Sequence, residues 1–144
     1  MDAPVIMVQM DDHKWTLAAL EMACAEAATR RASVVLALLL PQSHITLANV
    51  DLEHYAFSET ECEEIEAYAA IAGRCGVPLT TRVFAYSDLD TGLNDVADVL
   101  HADTVFAHIP GDLLPFIHRR HIRHLEHDLE SHHHHLRTFE LPVP

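Results

Sequence analysis

The sequence predicts an α/β domain: an open sheet of mainly parallel strands with helices on both faces. Three observations carry this. Val5, Ile6, Met7, Val8 and Met10 form an apolar run interrupted only by Gln9. It is too short to span a membrane and suits a strand buried on both faces. The run stops at Asp11-Asp12, after which Leu17, Leu20, Cys24, Ala27 and Ala28 recur at helical spacing. The alternation then continues down the chain as β-α-β-loop-α-β-α-β-α-β, with no internal repeat, and alternating strands and helices imply a parallel sheet. In such sheets ligands sit at the carboxyl ends of the strands, so Asp11 and Asp12 point at the place a ligand would occupy.

The second strand reads from 33 to 40 and closes at Pro41. Residues 41 to 57 show no clear period, and a loop of that length is commonly a lid or a binding segment. Ser58 with Glu61 three residues on makes a capping box, with Phe57 and Cys62 as its hydrophobic staple. Cys62, Ile65, Tyr68, Ala69 and Ala72 supply that helix's apolar face, and Gly73 to Gly76 ends it. Residues 79 to 86 alternate as a strand. Asp88 or Asp90 caps a short helix with Leu93, Val96, Ala97 and Leu100 inward, and a strand follows over 104 to 109. Pro110-Gly111 breaks the chain. Ile122, Leu125 and Leu129 mark a last helix, and residues 136 to 141 a last strand before Pro142 and Pro144.

The 144 residues suffice for one domain, 1–144, with its own core. The formal net charge of −13 repels phosphate backbones, so no nucleic-acid partner is expected. No apolar run reaches the roughly 18 residues of a membrane span. Neither a basic n-region nor an apolar h-region follows Met1, so the expected location is cytoplasmic. Cys24, Cys62 and Cys75 read as small hydrophobes in a reducing compartment.

Two local motifs carry a family resemblance. Residues 10 to 23, Met-Asp-Asp-His-Lys-Trp-Thr-Leu-Ala-Ala-Leu-Glu-Met-Ala, resemble V-D-G-S-x-x-S-x-x-A-L-x-x-A, the first strand-to-helix turn of the universal stress protein family. Residues 101 to 108, His-Ala-Asp-Thr-Val-Phe-Ala-His, are similar to that family's G-A-D-L-I-V-M-G at its fourth strand. With the matching order of elements, the resemblance spans residues 4 to 141. It implies a five-stranded Rossmann-like sheet of the adenine nucleotide alpha hydrolase-like type, and a homodimer joined through the C-terminal strand.

ATP-binding members of that family carry G-x2-G-x9-G-[S/T] after the fourth strand, where backbone N–H groups close around phosphates at a helix start. On this sequence the first glycine falls at His108, the second at Gly111, the third at His121 and the Ser/Thr at Ile122. Gly111 alone remains, and no Gly, Ser or Thr lies between Asp112 and Glu130. Asp11 matches the family's acidic residue near adenine and ribose. It equally reads as a helix N-terminal carboxylate, worth about 0.3–1 kcal/mol. Asp11 and Gly111 are thus remnants of a nucleotide site, and Asp12 stands where the family often has glycine.

Thirteen histidines are the compositional outlier, and eight fall between His118 and His135. His118, His121, His124 and His127 repeat every third residue, and imidazoles at that spacing can share a Zn, Ni or Cu ion. Steps of three turn back about 60° each, so all four cannot meet one ion. Arg119, Arg120 and Arg123 are interleaved and repel cations. The candidate metal ligands are His118, His121 and His124, against a plainer reading as a solvated polar face and turn. Protonation of all 13 would cancel the formal charge, which makes a pH response a further reading.

No catalytic constellation stands out, and no cofactor is expected. The leading expectation is a non-enzymatic universal stress-type protein that does not bind ATP and acts as a dimer with unknown protein partners. The alternatives are a histidine-rich metal-binding module and an atypical nucleotide-binding regulatory domain on the same fold.

Overall fold

A computed structural model of the chain describes residues 3–43, 52–111 and 114–142. Among these, five strands form one parallel sheet: β1 (Val5–Gln9), β2 (Ser33–Pro41), β3 (Leu79–Tyr86), β4 (Ala102–Phe106) and β5 (His135–Arg137). The spatial order is β3-β2-β1-β4-β5. The chain steps from β1 outward to β2 and β3, then returns to β1's other side for β4 and β5. The order therefore reverses between β1 and β4, where the crevice of such a sheet opens.

Long helices of the described residues cover the sheet: α1 (His13–Arg30), α2 (Glu59–Cys75), α3 (Leu89–Leu100) and α4 (Pro115–Ser131). β1 sends Ile6 and Val8 to one face, under α1 and α2 through Trp15, Leu20 and Tyr68. Met7 points to the other face and packs with Leu93 and Val96 of α3 and Leu125 and Leu129 of α4. Burial on both sides is why the central strands read as continuous apolar runs. No helix among the described residues is long and apolar enough to cross a membrane.

Local chemistry explains most element boundaries. Asp12 caps α1 by accepting the Trp15 N–H at 3.1 Å. Ser58 and Glu61 complete both halves of the α2 capping box, at 3.1 and 2.8 Å. Gly76 ends α2 at φ 68, a left-handed turn that glycine adopts without steric cost. Of the two candidate aspartates, Asp88 caps α3 and Asp90 lies in its first turn. Gly92 meets a different demand: a Cβ there would lie 2.6 Å from the Tyr86 Cβ, so the helix approaches β3 only because this residue has none.

Several expectations need correction. β4 spans Ala102–Phe106 rather than 104 to 109, because the left-handed turn at His101 delivers the chain to the sheet earlier. β5 is three residues long and not the expected 136 to 141; the chain beyond Arg137 leaves the sheet. On α2, Cys62 and Ala69 are exposed, while Tyr68, Ile71 and Ala72 are buried, so the apolar face is rotated toward Ile71. On α1 the buried set widens to include Trp15, Thr16, Ala19 and Ala23, and Ala28 is exposed. Of the expected loop over 41 to 57, Pro41 extends β2 and Leu52–His54 forms a single 3-10 turn; residues 44–51 lie outside the described residues.

Candidate functional site

The carboxyl ends of β1 and β4 face each other across the switch point, and the side chains they carry bridge it. Gln9, last in β1, is buried and accepts the His108 backbone N–H through Oε1 at 2.9 Å. This buried side chain holds the segment after β4 against the end of β1. His108, thus placed, directs its ring Nδ1 onto the Asp11 carboxylate. The Asp11 backbone N–H in turn donates to the Thr16 hydroxyl at 3.0 Å.

Above that pair lies an aromatic stack. Trp15, 1% exposed, stands in the first turn of α1, with the His108 ring on one neighbour contact and Phe139 on another. Both centroid separations are 5.1 Å, with interplanar angles of 24° and 16°. The indole N–H donates to the Phe139 carbonyl at 2.9 Å. This contact explains why β5 is short: the chain past Arg137 folds back over the crevice instead of continuing along the sheet edge. Beside the stack, His13 Nδ1 and the Tyr68 hydroxyl lie 2.9 Å apart. Burial pushes the Tyr68 phenol up to about 12, with nearby Glu64 adding to it.

Asp11 therefore differs from the simpler expectation. Asp12, not Asp11, supplies the helix-capping carboxylate, and Asp11 is engaged with His108. Gly111, the second remnant, is exposed and has no left-handed φ. A Cβ at Gly111 would come within 3.3 Å of the Glu140 Oε1. The same carboxylate oxygen lies 3.1 Å from His118 Nε2. Beside Gly111, then, the chain places a carboxylate of its own. Leu114 precedes α4 without a side-chain cap, and Pro115 opens the helix with no N–H to offer.

The candidate metal ligands are not brought together. His118 engages Glu140, His121 engages Asp90 at 2.8 Å, and His124 engages Asp128 at 3.4 Å. Among the described residues no group of three or more His, Cys, Asp or Glu side chains could hold a metal ion. The reason is the fan of successive three-residue steps, which sends each ring to a different carboxylate.

The histidine run holds one residue that sequence reasoning missed. His134 is buried, with Nδ1 on the Ala102 carbonyl and Nε2 2.6 Å from Asp98. His132 Nδ1 approaches the same carboxylate at 3.1 Å. These contacts, His134 first, hold the Asp98 carboxyl below its ordinary range. Four consecutive histidines give no pattern from which one buried ring could be picked. Of the cysteines, Cys24 is buried and its thiol is pushed up to about 11 by burial, with a smaller contribution from Cys75. Cys62 is exposed.

No protein-family model and no curated protein sequence matches the chain. Solved structures do. A universal stress protein in complex with cAMP matches with a TM-score of 0.62 at 15% identity, over 97% of this chain and 98% of that one. A universal stress protein family member from Burkholderia pseudomallei gives 0.61 at 18% identity, covering 95% and 96%. The universal stress protein of Archaeoglobus fulgidus in complex with dAMP gives 0.54 at 13% identity, covering 96% and 98%. End to end, and with its switch point between β1 and β4 bridged by its own side chains, the chain has the universal stress protein fold.

Proposed function

We propose that this chain is a universal stress-type protein that does not bind ATP, works without catalysis, and acts in the cytoplasm as a homodimer through protein partners. The observation that carries this reading is His108. At the position of the first phosphate-loop glycine, the chain carries a ring that pairs with Asp11 and stacks on Trp15. A bound adenosine would have to displace both contacts. The Glu140 carboxylate near Gly111 adds a like charge where a phosphate would approach.

A second reading, a regulatory domain for a nucleoside monophosphate, draws on the complexes of two structural neighbours with cAMP and dAMP. Such a ligand needs less of a phosphate loop than ATP does. One experiment separates the readings: thermal melts of the untagged protein with ATP-Mg, cAMP and dAMP. A ligand at ~100 times its Kd stabilises the folded state by roughly 2.7 kcal/mol. The expected result is an unchanged melting temperature with all three. A rise with cAMP or dAMP alone establishes the second reading, and a rise of several degrees with ATP overturns the first.

A further inference from the structure

Helices α2 and α4 carry complementary stripes that cannot meet within one chain. On α4, Phe116, Arg120, Arg123 and His127 are exposed and follow one another at steps of four, three and four, a single line along the helix. On α2, Ala70, Glu66, Glu63 and Glu59, read backward, are exposed at the same steps. Among the described residues no ion pair or side-chain hydrogen bond engages Arg120, Arg123, His127, Glu59, Glu63 or Glu66. Of the other arginines, Arg30 pairs with Asp103 and Arg137 with Glu26, and Arg82 lies over the Phe84 ring. Phe116, 62% exposed, is a large apolar side chain at the head of a charged line.

Because α2 covers one face of the sheet and α4 the other, these two lines lie on opposite sides of the molecule. We propose that α4 of one copy docks antiparallel along α2 of a second copy. Phe116 then rests on Ala70, Arg120 meets Glu66, Arg123 meets Glu63, and His127 meets Glu59. Antiparallel helices also align their dipoles favourably. The occupant is a second copy because the matching acid line is on this chain, with the same spacing in reverse. A net charge of −13 disfavours a polyanion such as nucleic acid or an anionic membrane on the same arginines.

The contact joins unlike surfaces, so it propagates head to tail, independently of any pairing at the β5 edge. Three helical turns bury less than the roughly 1,200 Å² of a stable interface, so the association is weak and reversible. Long-range repulsion between acidic chains opposes it at low salt, whereas at about 0.15 M salt the Debye length of ~8 Å leaves only the short contacts. High salt then weakens the contacts themselves.

Sedimentation velocity from about 10 micromolar to about 1 millimolar, at about 0.15 M salt, tests this. The wild-type sedimentation coefficient is expected to rise with concentration beyond that of the dilute species. Arg120→Glu/Arg123→Glu and Glu63→Arg/Glu66→Arg should each remain at the dilute value. An equimolar mixture of the two variants should regain the rise, since each then offers the other a complementary line. Unchanged far-ultraviolet circular dichroism of both variants certifies their folds. A wild type whose coefficient does not rise, variants that associate like wild type, or a mixture that fails to recover overturns the proposal. So does a wild type that stays dispersed but binds poly-glutamate through Arg120 and Arg123, which would assign the line to a foreign acidic partner.

Discussion

At the residue scale, the decisive group is His108, and its partner Asp11 tells how firmly the crevice is held. Their side chains are 24% and 40% exposed, so the pair is partly screened by water. Asp11→Asn is therefore expected to cost no more than about 1 kcal/mol in chemical denaturation. It should, however, loosen the His108 ring on Trp15. The chain has one tryptophan, so its fluorescence reports that stack directly. A shifted emission in Asp11→Asn with near wild-type stability is the expected outcome. An unchanged spectrum would mean that Gln9 alone positions His108. Asp11 was legible as a residue at the strand end. Its partner, 97 positions away, was not, because only the sheet order brings the two together.

At the scale of elements, the edge strand β5 bears on assembly. Among the described residues no strand pairs with its outer side, an arrangement that invites a second copy. The Arg137 carbonyl accepts from Ala107 at 3.1 Å, so Arg137 turns its backbone groups to β4. By the alternation of a strand, Leu136 turns its groups outward. Sedimentation equilibrium at micromolar concentration is expected to show a dimer. A wild type that sediments as a 16.1 kDa monomer contradicts this. Phe139, half-buried, stacks on Trp15 of its own chain. The capping box at Ser58 and the inward face of α3 could be read from sequence because both depend on residues within one turn or two. Gly92 could not, because its reason is the Tyr86 side chain of another element.

At the scale of the whole molecule, acidity shapes stability as well as association. The Asp98 carboxyl is held low chiefly by its hydrogen bond from His134, with His132 adding to it. A carboxyl whose folded-state value is depressed stabilises the fold above its ordinary range, and that stability is lost as the pH falls through the lowered value. The acid limb of the stability curve, below about pH 4, should accordingly be shallower in Asp98→Asn than in wild type. Because Asp98 is 44% exposed, solvent screens part of the effect. Superimposable acid limbs in a pH series of urea denaturations would remove Asp98 from the account.

The sequence by itself determined the α/β class, the two-sided burial of β1, and the absence of Gly, Ser and Thr between Asp112 and Glu130. These are properties of short stretches, set by side-chain period, turn chemistry and residue size. Tertiary structure alone decided what stands in the crevice and which distant side chains meet. His108 on Asp11, Phe139 on Trp15, Glu140 beside Gly111 and His134 on Asp98 all join positions far apart in the chain. The outward lines of α2 and α4 were present in the sequence as spacing. That they lie on opposite faces follows only from which side of the sheet each helix covers.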